Sequence, residues 1–426
     1  MRTKPAVVAL TAIAALALVG LADMSLCRAA DTGNTGASTE QFRDMGFGLF
    51  IHWGPVAQMG KEISWPVVDA SQDFREKYFN LYKTFNPTEF NPDRWARLAR
   101  NAGMKYVVFT TKHHDGFCMY DSAYTDYDIT NTPYARDITV QVAEAFRAED
   151  IAIGWYYSPA DWHYLYVHGH ESGYDYSMKP GDYDAPYGTK DLPLLEYEKR
   201  QVEELLTRYG HVDIMWYDGP GKALADHTWK LRPDVFVARA RGAGIPTPEQ
   251  QVPEPGEAPE GAWETCMTMG DQWAYRPNDS YKSARQLIHT LVKIRAMGGN
   301  FLLNVGPKPD GTLPEPQVKL LEEMSTWMDV NAGAIHGVRP WKKPRENDTW
   351  FTAADGGQTV YAILTRWPDD GEVTLEALGD EQVKNIRLCG APGALEWNAA
   401  EDSIRVTLPP EKPCKYSYAL EIQLKD

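Results

Sequence analysis

Between residues 46 and 335 the chain repeatedly places an amphipathic helix ahead of a short run that is apolar on both faces. That alternation leaves few folds open. Asn91 caps and Pro92 opens one such helix, whose apolar positions Trp95, Leu98, Ala99 and Ala102 recur at helical spacing until Gly103 ends it. The run Tyr106-Val107-Val108-Phe109 follows. A second helix, roughly Thr139 to Glu149, leads into Ile151 to Tyr157. A third carries Leu195, Val202, Leu205, Leu206 and Tyr209, stops at Gly210, and leads into Asp213 to Tyr217. Val235 to Val237 and Phe301 to Leu303 continue the pattern. Strands covered on both sides lose the polar alternation of exposed sheets. The spacing predicts an α/β fold of the (β/α)8-like (TIM) barrel type.

After about Pro340 the period changes to two. Val373 to Ala377, Ile404 to Leu408 and Tyr418 to Leu424 alternate apolar and polar residues, as half-buried antiparallel strands do. The expected organisation is a barrel over 30–340 followed by a small antiparallel β-sandwich over 341–426. Two connections are long: His168 to Lys190, a candidate lid or outer subsite, and 242–261, stiffened by five prolines and expected to hold no helix.

Residues 1–29 are set apart. Arg2 and Lys4 precede the apolar stretch Ala6 to Ala22, and Cys27-Arg28-Ala29 offers small residues at the −3 and −1 positions of a cleavage site. That is a signal-peptide layout, which predicts a secreted or periplasmic protein. An uncleaved anchor is the alternative. The full chain carries a net charge of −16, and losing Arg2, Lys4 and Arg28 against Asp23 makes it −18. Such a surface argues against nucleic acid or anionic membranes as partners, and against a sulfated or uronic polymer unless the cleft is locally basic. Oligomerisation stays open. Four cysteines remain beyond residue 29; Cys389 and Cys414 could pair, or all four could be free thiols. No zinc-like Cys/His spacing occurs, and neither metal nor cofactor is expected.

The strand ends carry the chemistry. His52-Trp53, Lys112-His113-His114-Asp115, Tyr156-Tyr157 and Asp218-Gly219 all fall at the C-terminal ends of the apolar runs, where barrels of this type hold their active sites. His52, His113, His114 and Asp115 could be drawn as metal ligands, but adjacent histidines on a strand point to opposite faces and no HxH or HExxH is present.

Several stretches together resemble the α-L-fucosidases of glycoside hydrolase family 29. They are "FGLFIHWGP" from Phe47, "KHHDGF" from Lys112, "YYSPADWH" from Tyr156, "DIMWYDG" from Asp213, "PTPEQ" from Pro246, "WETCMT" from Trp263 and "GGNFLLNVGPKPDG" from Gly298. The resemblance spans nearly the whole chain beyond the signal segment. It implies a barrel followed by a β-sandwich, and retaining release of terminal α-L-fucose from glycans through a covalent fucosyl-enzyme. Retaining enzymes hold two carboxyls about 5–5.5 Å apart. By motif position Asp218 resembles the family nucleophile and Glu264 the acid/base, with Glu249, Glu254, Glu257 and Glu260 as rivals for the second role. The resemblance further implies that His52, Glu62, Trp65, His113, His114, Tyr157, Trp216 and Arg239 bind the sugar. Neutral imidazoles can donate and accept at once, and aromatic walls suit the C6 methyl of fucose. The sequence departs from the family at Val237-Ala238-Arg239 and Gly244-Ile245-Pro246, so its outer substrate contacts are expected to differ from the common type. An α-L-galactosidase on the same scaffold and a non-catalytic fucose-binding protein are the alternatives.

Overall fold

The computed structural model describes residues 33–169 and 185–425. The signal segment and most of the 168–190 connection therefore lie outside the described residues. The N-terminal region supplies seven parallel strands: β1 (Phe47–Ile51), β2 (Tyr106–Lys112), β3 (Ala152–Tyr157), β4 (Ile214–Gly219), β5 (Phe236–Ala240), β6 (Glu264–Thr268) and β7 (Asn300–Val305). They pair in the order β5-β4-β3-β2-β1-β7-β6. The helices are α1 (Gly36–Met45), α2 (Gln72–Phe79), α3 (Pro92–Asn101), α4 (Ile138–Ala148), α5 (Trp162–Val167), α6 (Leu194–Thr207), α7 (Lys222–Leu231), α8 (Ala284–Ala296) and α9 (Glu315–Asn331). The sheet is the barrel-like one that the alternation predicts. Asn91 caps α3 by accepting from the Arg94 amide, as its position before Pro92 suggests.

The proline-rich connection holds no α-helix, yet it is not structureless. Residues 246–250 run alongside β6: the Glu264 amide donates to Pro246 O, the Cys266 amide to Pro248 O, and the Gln250 amide to Cys266 O at 2.9–3.2 Å. This segment stands in the gap between β5 and β6, and the bridge it forms, Glu249 to Cys266, is parallel.

Side chains alternate across the strands. Phe50, Tyr106, Val108, Tyr156, Trp216, Phe236, Cys266 and Leu302 point inward and form one apolar cluster, plugged by Phe42 of α1, which stacks on Phe236 at 4.3 Å. Their outward neighbours pack beneath the helices in a separate cluster. One buried ion pair ties the barrel to its helical shell. Lys112 Nζ, at the end of β2, lies 3.3 Å from Asp161 Oδ2, and both side chains are fully buried. Asp161 also caps α5 by accepting from the Tyr164 amide.

The C-terminal strands are β8 (Arg339–Glu346), β9 (Thr349–Ala354), β10 (Thr359–Leu364), β11 (Glu372–Leu375), β12 (Val383–Leu388), β13 (Trp397–Ala400), β14 (Ser403–Thr407) and β15 (Tyr418–Leu424). They form antiparallel sheets β12-β15-β10-β9-β8 and β11-β14-β13 around a core of their own, as the period-two runs predict. Cys118, Cys266, Cys389 and Cys414 are all free thiols. No helix among the described residues is long and apolar enough to cross a membrane.

Candidate active site

A cavity of about 290 Å³ opens at the C-terminal ends of the barrel strands. Its floor is the top inward layer of the barrel, Phe50, Tyr156, Trp216 and Cys266. The Tyr156 ring stacks against His113 on one side and Trp216 on the other, each at 5.2 Å between centroids. His52, His113, His114, Asp218, Arg239, Glu249 and Trp273 complete the lining, and Trp65 stands at the rim with 43% of its surface exposed.

Asp218 sits two residues beyond Trp216, on the same inward face of β4. One carboxylate oxygen accepts from the Tyr156 hydroxyl at 2.8 Å and faces His114 Nε2 at 3.4 Å. The other lies 3.2 Å from Arg239 Nε. Burial alone would push this carboxyl up, but the Arg239 guanidinium and His114 outweigh it and hold it well below the usual carboxylate range. Asp218 is therefore an ionised, oriented carboxylate.

Arg239 reaches this position with a backbone φ of +30°, a conformation that costs a non-glycine residue free energy. Its guanidinium lies over the Trp216 ring at 5.0 Å, and its Nη1 is 2.7 Å from Glu249 Oε2. Glu249 stands on the segment paired with β6. One arginine thus joins the two carboxylates on the cavity wall.

His52 and His113 are each held by a buried hydrogen bond at the cavity. Asn304 Nδ2 donates to the Trp273 carbonyl, so its Oδ1 faces His52 Nδ1 at 2.7 Å. His52 must then donate from Nδ1 and can accept at Nε2. Burial draws its pKa down to about 4, against a smaller opposing effect from that bond, and it is neutral near pH 7. Burial also pulls His113 well below its ordinary value. Ser64 accepts from the Asp115 amide and lies 2.6 Å from His113 Nδ1. β2 ends at Lys112, so His113 and His114 occupy the turn beyond it and both rings line the cavity. The expectation that they face opposite ways fails because they are not on the strand. Donor atoms of His113, His114 and Asp218 lie within 4.8 Å of one another, a spacing that a metal ion could use. The Arg239 guanidinium beside Asp218 opposes a second cation there.

Three of the expected site residues are not brought to the cavity. Glu264, the expected acid/base, is the first residue of β6, two positions before Cys266 and one inward layer below the floor. It is fully buried, and its oxygens accept from the Tyr106 hydroxyl at 2.5 Å and from Trp216 Nε1 at 2.9 Å. The Trp216 ring lies between it and the cavity. Burial raises its pKa to about 7 despite these bonds. Tyr157 points outward, its hydroxyl donating to Gln201 and its ring under Lys112 Nζ; Tyr156, one residue earlier, takes the inward place. Glu62 is not on the lining. Its carboxylate accepts from the amides of Ile63, Trp273 and Ala274 at 2.7–2.9 Å, and so braces Trp273 over the cavity. Phe50, Tyr156, Glu249, Cys266 and Trp273 are the lining residues that motif reading alone did not select. The "TPEQ" stretch held Glu249 as a rival, whereas nothing in the sequence singles out Trp273.

Known proteins place the chain. The α-L-fucosidase family model matches residues 28–333, and the model of the α-L-fucosidase C-terminal domain matches 342–423. Plasma α-L-fucosidase of Rattus norvegicus is 30% identical over 88% of this chain and 89% of its own. Among solved structures, α-L-fucosidase isoenzyme 1 from Paenibacillus thiaminolyticus superimposes with a TM-score of 0.79 at 31% identity, over 91% of this chain and 99% of that one. The Thermotoga maritima α-fucosidase in complex with a mechanism-based inhibitor gives 0.75 at 26% identity, over 91% and 97%. The chain belongs to the α-L-fucosidases, glycoside hydrolase family 29.

Proposed function

We propose that the protein is a retaining exo-α-L-fucosidase in which Asp218 is the nucleophile and Glu249, not Glu264, is the acid/base. The observation that carries this reading is the Arg239 guanidinium shared by Asp218 and Glu249 on one wall of a closed-ended cavity. Sharing one guanidinium puts both carboxylates on the same wall, which supports a two-carboxyl retaining mechanism.

In this scheme Asp218 attacks the anomeric carbon as an ionised carboxylate while Glu249 protonates the departing oxygen. Charge then leaves Asp218 for the new ester bond. Glu249 next takes a proton from a water whose oxygen attacks the anomeric carbon, and the ester bond to Asp218 breaks, releasing fucose and restoring the Asp218 carboxylate. His52 and His113 pair with ring hydroxyls, and the aromatic floor meets the apolar face of the sugar. Residues 30–340 act as the catalytic unit and 341–426 as its accessory sandwich. Residues 1–29 direct export, in keeping with relatives named plasma fucosidases.

The test is release of nitrophenol from 4-nitrophenyl α-L-fucoside by the mature protein and by Asp218→Ala. Turnover by the first alone supports the sugar, the anomer and the nucleophile together. Equal turnover by both would remove Asp218 from its role.

A further inference from the structure

Beside the sugar pocket, and meeting it at Asp218 and Arg239, lies a second and wider cavity of about 400 Å³. Its walls are the turn at Gly219 and the segment 240–247 that leaves β5. Among the described residues that line it, Asp218 is the sole carboxylate, and the Arg239 guanidinium already offsets that charge. Arg241 lines it too. This side chain is exposed, and its guanidinium has no hydrogen bond or ion pair among the described residues. The nearby cation Lys222 is taken by Asp226 at 2.8 Å.

The backbone that presents Arg241 is held in place. The Arg241 amide donates to Gly219 O at 2.9 Å, and the amides of Ala243 and Gly244 both donate to Ala240 O. A Cβ on Gly244 would lie 2.4 Å from Ala240 N, so the turn is packed to contact against its own strand. A free guanidinium on a fixed turn, two residues past the carboxylate-binding Arg239, is thus set in a chain whose net charge is −16. An acidic protein repels anions at long range, so a local cation next to the cleft is what an acidic saccharide requires. A guanidinium fork fits the paired oxygens of a carboxylate or sulfate.

We propose that this second cavity receives the sugar to which fucose is attached, and that Arg241 selects a leaving sugar bearing an anionic group, either a carboxylate or a sulfate ester. This rests on the fucosidase reading of the adjoining pocket. It makes Arg241 a specificity residue that takes no part in bond cleavage.

The experiment compares kcat/KM on three α-L-fucosyl disaccharides whose leaving sugar is a neutral hexose, a hexuronic acid or a 6-O-sulfated hexose, using the native enzyme and Arg241→Gln. The native enzyme favours at least one acidic substrate over the neutral one by about tenfold, the scale of one charge-assisted contact at a partly exposed site. That preference shrinks as salt is raised and falls to near unity in the variant. The acidic arm that is preferred identifies the anion. A native ratio near unity, or a ratio unchanged by Arg241→Gln, overturns the assignment while leaving the hydrolase intact. Failure of the native enzyme on all three disaccharides and on the nitrophenyl fucoside would instead overturn the fucosidase reading, and this proposal with it.

Discussion

Arg239 binds Asp218 and Glu249 with different nitrogens of one guanidinium, Nε at 3.2 Å and Nη1 at 2.7 Å. The first contact helps keep Asp218 ionised. The second ties a residue on the chain between β5 and β6 to the end of β5. Replacing Arg239 with Lys keeps the charge but loses the fork, so it should fail to hold both carboxylates at once. We expect kcat/KM on aryl fucoside to fall by about a hundredfold or more, roughly two charge-assisted contacts. Activity within a fewfold of the parent would show that the bridge is incidental.

Asp218→Ala should lose at least about a thousandfold in kcat, since removing the proposed nucleophile leaves only binding and the remaining polarisation. Folding should be little changed, because the Asp218 side chain faces the cavity and Arg239 keeps its contact with Glu249. A thermal melt measured with the kinetics separates the two effects.

The two candidate acids separate by leaving group and by pH. Glu249→Ala should slow a fucosyl disaccharide far more than an activated aryl fucoside, which departs without a proton. Glu264→Gln should retain turnover on both. It should also change the pH dependence of stability. Glu264 has a folded pKa of about 7, above its ordinary value of 4.5, so its contribution is complete below about 4.5 and is lost as pH rises through 7. The glutamine variant lacks that loss, which amounts to about 3–4 kcal/mol at most at ~1.4 kcal/mol per unit. Denaturant melts at pH 5 and pH 8 should show a smaller difference for Glu264→Gln than for the parent. Equal slopes would contradict a buried proton at that site.

The Glu264 case shows what motifs deliver and what they do not. Asp218 is legible because a glycine turn marks the end of its strand, and the i, i+2 relation to Trp216 puts both on one face. For "WETC" the sequence gives no sign that the strand begins at Glu264, and height within the barrel decides between floor and foundation. Tyr156 and Tyr157 differ only in parity, which is fixed by pairing with Trp216 and Tyr217 on β4 and not by either residue's own chemistry. The barrel itself and the C-terminal sheets follow from periodicity, which burial enforces all along the chain. The Lys112–Asp161 pair joins residues 49 positions apart, and no local pattern announces it.

That pair yields a stability prediction. Asp161→Ala leaves a lysine ammonium fully buried without its partner and uncaps α5, and should cost about 3–5 kcal/mol. Calorimetry of the double variant with Lys112→Met should recover part of the loss. No recovery would mean that capping and packing dominate.

For binding, His52 should set an acid limit. It is neutral above about pH 5 and gains a proton as pH falls through about 4, which removes the acceptor at Nε2. KM for aryl fucoside should rise below pH 4 in the parent. A flat KM down to pH 3 would exclude His52 from hydroxyl recognition.

The segment 246–250 is bonded to β6 on one side and followed by a proline-rich stretch before β6 begins. Asp218, by contrast, rides on β4, which is laddered to a neighbour on both sides. The barrel thus resembles a cask with one stave hooped along a single edge. With Glu249 as the proposed acid and Asp218 as the proposed nucleophile, insertions and deletions before or after that stave can reposition Glu249 for a new leaving sugar while the seat of Asp218 stays unchanged, so acceptor preference can diverge along a lineage faster than preference for fucose.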